Sequence, residues 1–77
     1  MSEEKKLADV REWSNLYRVM DLDREHFGIF DLSKWSEVGE KMTQRQYKYL
    51  LYLIFNNKYF EAKKMLVQLG LKEKPQL

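Results

Sequence analysis

A single imidazole, His26, stands beside the carboxylates Asp21, Asp23 and Glu25, and the chain has no cysteine. A histidine acting as general base needs a hydroxyl or thiol to activate and a third group to orient its ring. With no thiol available, any such arrangement would rest on this one residue. The alternating carboxylates share the odd-position spacing of a calcium-binding loop. That loop needs glycine at its sixth position and a bidentate glutamate at its twelfth, where this chain has His26 and Leu32. The run therefore reads as a solvated acidic turn. The three glycines stand far apart, so no phosphate-cradling loop is formed. No enzyme activity, metal or cofactor is expected.

The other chemistry the residues allow is binding. Residues 44–60 hold six aromatic side chains, and their only charges are the cations Arg45, Lys48 and Lys58. With Tyr47 at 0° and steps of about 100° per residue, Leu50, Leu51, Ile54 and Phe55 fall within about 80° of it, an apolar face. Arg45, Lys48, Tyr49, Tyr52 and Asn56 occupy the arc from about 100° to 200°. Two cations interleaved with two tyrosines suit a protein interface, where Tyr and Arg are enriched. They also suit a nucleic acid, whose phosphates meet the cations and whose bases stack on rings. The competing reading lays both tyrosines against neighbouring helices with only their hydroxyls wet.

Farther on, Tyr59, Ala62, Met65, Leu66 and Leu69 form one apolar stripe, while Phe60 and Val67 form a second with Lys63 beside them. Burial of that second stripe within the chain, for example against Trp35, is the expectation, since so short a chain needs those groups in its core. Contact with a partner through Phe60, Lys63 and Lys64 is the alternative.

These residues must be positioned by few elements. Seventy-seven residues make one domain, near the size at which a single apolar core just suffices, and no disulfide can reinforce it. Val10, Trp13, Tyr17 and Met20 recur at helical spacing, with Leu16 at the margin. They predict an amphipathic helix over 4–20, with Glu3 and Glu4 favourably placed at its start. The period breaks over 21–33. There Phe27, Ile29 and Phe30 predict an ordered loop or a short extended piece around 26–31, because a lone strand finds no partner elsewhere in the sequence. A short helix capped by Ser33 or Asp31 would bury Trp35 and Val38. Thr43 with Gln46 fits a capping box, and Met42 with Tyr47 the accompanying hydrophobic staple, so a helix starts at 43 or 44. Asn56 and Asn57 suggest a break, although phase alone also permits one long helix over 43–69. A last helix runs from 58 to Gly70, where Leu71 would close the cap.

Within that last segment, Tyr59, Ala62 and Leu66 have the offsets of the second helix of a tetratricopeptide unit, which the segment resembles. Leu50 stands where the preceding helix of that repeat takes a small residue, and Pro75 comes one position late. The similarity is read as general helix-pair packing.

The expected architecture is a single all-α domain over 1–77, about four helices ending in a helical hairpin, with 1–3 and 72–77 as flexible ends. No apolar run approaches the ~20 residues that cross a bilayer, and the N-terminus lacks a secretory apolar stretch. An intracellular, cytoplasmic protein is expected. Charge is divided: residues 1–40 carry six cations and ten carboxylates, net −4, while residues 41–77 carry eight and two, net +6. That asymmetry suggests an anionic partner for the C-terminal half, or attraction between the two halves. The expected function is a non-enzymatic module docking onto a larger protein through Arg45, Lys48, Tyr49, Tyr52, Phe60, Lys63 and Lys64. The second reading is a nucleic-acid-binding accessory using the same cations. Self-association as a homodimer stays open.

Overall fold

Two chain segments distant in sequence begin the structure together. In the computed structural model, which describes residues 6–75, Lys6–Ala8 runs extended beside Met42–Gln44. The Ala8 amide donates to the Met42 carbonyl at 2.9 Å, and the Gln44 amide to the Lys6 carbonyl at 2.8 Å. This pairing holds Lys6–Ala8 extended, so the first helix, α1 (Val10–Leu22), starts later than residue 4. Glu3 and Glu4 lie outside the described residues. The start is set by a capping box that the periodicity did not reveal. The Glu12 amide donates to Asp9 Oδ1 and the Asp9 amide to Glu12 Oε1, each at 3.0 Å, which satisfies orphan donors of the first turn. Leu16 and Met20 are fully buried, whereas Val10 and Tyr17 are exposed. The buried face is thus rotated toward Leu16 from the one that spacing alone suggested.

After Asp23 the chain makes a single helical turn, α2 (Arg24–Phe27), and then a two-residue strand, β1 (Phe30–Asp31). The strand has a partner after all. β2 (Lys72–Glu73) pairs with it antiparallel, Phe30 opposite Glu73 and Asp31 opposite Lys72. The Lys74 amide extends the ladder by donating to the Ile29 carbonyl at 2.8 Å. Part of the tail expected to be flexible is therefore tied to the middle of the chain; residues 76 and 77 lie outside the described range. Neither two-residue strand is long enough to display a period, so the pairing leaves no trace in the sequence pattern.

α3 (Trp35–Gly39) has no side-chain cap. Asp31, one of the expected caps, instead accepts the Ser33 amide at 3.0 Å in the preceding turn. The Ser33 amide first, then its hydroxyl, and also Lys74 and Lys34, hold the Asp31 carboxyl below its ordinary value, against desolvation. Trp35 and Val38 are buried as expected. Trp35 crosses to the first helix, its Nε1–H donating to the Trp13 carbonyl at 2.6 Å. Gly39 makes the crossing close: a Cβ there would overlap the Trp13 ring.

α4 (Gln44–Phe55) starts at the predicted capping box, with the Gln46 amide to Thr43 Oγ1 at 3.1 Å and the Thr43 amide to Gln46 Oε1 at 2.9 Å. It ends where Asn57 takes φ +60°. The Asn57 amide donates to the Ile54 carbonyl and the Lys58 amide to the Leu53 carbonyl. This is a Schellman closure with Asn in the left-handed position. Residues 43–69 are thus a hairpin, with α5 (Tyr59–Gln68) folded back on α4. α5 closes the same way, through Gly70 at φ +109° and the Leu71 amide on the Leu66 carbonyl at 3.0 Å. Leu71 is buried, as a Schellman contact requires. Among the described residues, five helical segments and one minimal ladder make a small all-α domain.

Thr43→Ala removes the acceptor for the Gln46 amide and should lower unfolding free energy by about 1 kcal/mol, with Thr43→Ser largely neutral. Gly39→Ala should cost about 1–3 kcal/mol, because the added methyl must displace the Trp13 indole packed against the core. Urea denaturation followed by tryptophan fluorescence reads both.

Candidate functional site

Packing on α4 sorts its side chains by direction. Tyr47, Leu50, Leu53 and Ile54 are buried. They span from about −120° to 0° when Tyr47 defines zero. Leu53 was not expected there, and Phe55, expected in the core, is 68% exposed. Both departures have one cause. The Asn57 turn folds α5 back on α4 and Leu53 is buried, so the buried arc lies about 70° farther from Phe55 than spacing suggested. Leu53, adjacent to the core positions Leu50 and Ile54 on the helix surface, was the available signal.

The opposite arc is open. Tyr49 and Tyr52 are 49% and 53% exposed, and their rings lie nearly parallel, 16° apart in plane with centroids 6.2 Å apart. Arg45 and Lys48 are exposed on the same arc, and among the described residues neither forms an ion pair. Arg45, Lys48, Tyr49 and Tyr52 stand at i, i+3, i+4 and i+7, so they share one face about 10 Å long. Phe55 borders it. Tyr47 differs from both: its ring is buried, and its hydroxyl accepts from Asn15 Nδ2 at 3.2 Å across to α1.

Phe60, Lys63 and Lys64 gather elsewhere. Phe60 is 74% and Val67 51% exposed, so the expected burial of this stripe against Trp35 does not occur; Trp35 is engaged by Trp13. Together with Ile29, Phe30, Gln68 and Glu73, these residues line a shallow groove between α5 and the β1–β2 ladder. Lys64 Nζ lies 5.6 Å from the centre of the Phe60 ring, within cation–π range. The residues expected to form one surface therefore occupy two, one on α4 and one beside α5.

His26 has a structural explanation. Its ring stacks on Tyr59 with centroids 3.5 Å apart and planes 4° apart, and Nδ1 lies 3.0 and 3.1 Å from the two Asp23 carboxylate oxygens. The Tyr59 hydroxyl in turn donates to Asn57 Oδ1 at 3.0 Å. These contacts tie α2 to the α4–α5 turn. Asp21 is 3.5 Å from Arg24. Among the described residues no group of three or more His, Asp or Glu is placed to hold a metal ion, and no helix is long and apolar enough to cross a membrane.

In comparison with known proteins, the chain matches no family model, no curated protein and no solved structure.

Because Tyr49 and Tyr52 contribute little to the core, Tyr49→Ala and Tyr52→Ala should each change unfolding free energy by less than about 0.5 kcal/mol. Tyr47→Ala should cost about 3 kcal/mol. Thermal melts of the three variants check the division of the helix.

Proposed function

We propose that this chain is a non-enzymatic interaction module that docks onto a larger protein through the outer face of α4. The observation that carries this reading is the exposed, near-parallel Tyr49–Tyr52 pair, flanked by unpaired Arg45 and Lys48. Large, semi-rigid aromatic groups lose little side-chain entropy on binding and dominate interface energetics when desolvated. Among the described residues both rings stay about half exposed, outside the buried core. Phe55 at the margin, 68% exposed, adds apolar area of the kind enriched at the core of protein interfaces.

The second reading, a nucleic-acid-binding accessory, is favoured by the unpaired cations Arg45, Lys48, Lys63 and Lys64. Two of these belong to a separate surface, and α5 opens with Tyr59 and Phe60 rather than the polar residues a groove-reading helix needs.

A pull-down from extract of the source cells, read by mass spectrometry, tests the first reading. One protein should be recovered stoichiometrically, and Tyr52→Ala should weaken its binding by at least about tenfold while the domain stays folded. Undiminished binding by Tyr52→Ala together with Tyr49→Ala removes this face from consideration. A gel shift at low salt that disappears steeply as salt rises, and is lost in Lys48→Glu, would favour the nucleic-acid reading instead.

A further inference from the structure

The groove beside α5 is a second surface, independent of the role given to α4. Its volume is ≈ 430 Å³. Its floor is closed by Phe30, a fully buried core residue, and its walls are the exposed Phe60 and Val67 on one side and Ile29 on the other. Phe60 and Val67 are seven residues apart on one helix, which places them about 10 Å apart along its axis. Lys63 and Lys64 fall between them on the same side. Among the described residues neither lysine forms an ion pair, and Glu73 is the only carboxylate lining the groove. An apolar trough with a cationic rim is thus left uncovered by the described residues.

We propose that this groove binds an acidic amphipathic helix from a partner protein. Two apolar side chains at i and i+7 of such a helix have the same ~10 Å spacing as Phe60 and Val67, and a third at i+3 or i+4 faces Ile29. Flanking Asp or Glu residues meet Lys63 and Lys64. Partial desolvation by the apolar contact strengthens those ion pairs relative to exposed ones. Phosphates match the lysines but leave Ile29, Phe60 and Val67 without partners. A second copy of this chain fits poorly as well. α1 exposes Val10 and Tyr17 seven residues apart, and Leu22 at its end. Arg11 and Arg18 border the Val10–Tyr17 stripe about 100° around the helix, and Asp21, in line with that stripe, is paired with Arg24. That stripe of α1 therefore carries more cations than free carboxylates, a poor match for Lys63 and Lys64.

Selection of a phage-displayed random peptide library against the immobilised full chain tests this, followed by fluorescence anisotropy with the selected peptides made synthetically. Enriched peptides should carry a net negative charge and apolar residues at helical i, i+3 or i+4, and i+7 positions. Phe60→Ala should weaken their binding at least about tenfold, and so should Lys63→Glu combined with Lys64→Glu. Tyr52→Ala should leave it unchanged, which separates this surface from the one on α4. All four side chains lie outside the buried core, so the variants should keep the native far-ultraviolet circular dichroism. The proposal is overturned if no selected peptide responds to Phe60→Ala, or if the enriched sequences are basic or lack apolar pairs. Sedimentation equilibrium provides a further check. A dimer that dissociates in Phe60→Glu would make a second copy the occupant and overturn the proposal, whereas a monomer at working concentration supports it.

Discussion

The crossing of α1 over α3 depends on an absent side chain. Trp13 lies where a Cβ at Gly39 would stand, and Trp35 reaches back to donate its indole N–H to the Trp13 carbonyl. One close approach thus buries the Trp35 indole with its N–H satisfied, the condition under which burying tryptophan is favourable, and packs the half-buried Trp13 ring against the core. The rest of the chain is arranged by where this crossing leaves it. α3 ends at Gly39, Met42 enters the core, and residues 42–44 meet Lys6–Ala8 immediately before α1 begins. A domain of this size without disulfides has little surplus stability. Consistent with that, no buried side-chain nitrogen or oxygen among the described residues lacks a hydrogen-bond partner.

The direction of the α4 face is set by events at its two ends. At the start, Thr43 and Gln46 satisfy each other's amides while Gln44 is fixed by the Lys6 carbonyl and by its contact with Glu12, 3.3 Å away. At the finish, Asn57 in the left-handed region turns the chain so that α5 packs on the Leu53 side. The His26–Tyr59 stack, with Asp23 and Asn57 as its polar supports, then braces that turn from the side of α2. An exposed Tyr49–Tyr52 pair is what remains after these contacts have taken the other side of the helix.

How much of this was legible varies with the range of the interaction responsible. The Thr43–Gln46 box and the Gly70–Leu71 closure were readable because they act within a few residues and need particular side chains at fixed offsets. So was the outward direction of Arg45, Lys48, Tyr49 and Tyr52, which lie far enough around the helix that a rotation of about 70° leaves them outside. Phe55 lay near the edge of the buried arc, and the same rotation expelled it. The Asp9–Glu12 box has the same form as the Thr43 box, but a helical reading that runs back to residue 4 passes over it. For Phe60 and Val67, the expectation of burial assumed that a short chain must use every large apolar group. Trp35, Phe27, Phe30, Tyr47 and the aliphatic residues already fill the interior.

By itself, the sequence determined the helical class, the Thr43–Gln46 start and the Gly70–Leu71 end of the last helical stretch, and a face of cations and tyrosines, since each rests on local backbone chemistry and on a 3.6-residue period. The choice of a hairpin over one long helix was left to the structure. The tertiary structure alone decided the phase of each buried face, the pairing of Phe30–Asp31 with Lys72–Glu73, and the separation of the α5 groove from the α4 face. Periodicity states that a helix has an apolar side. Only the neighbour that covers it sets the angle of that side, and a ladder of two residues carries its information entirely in the partner strand about forty residues away.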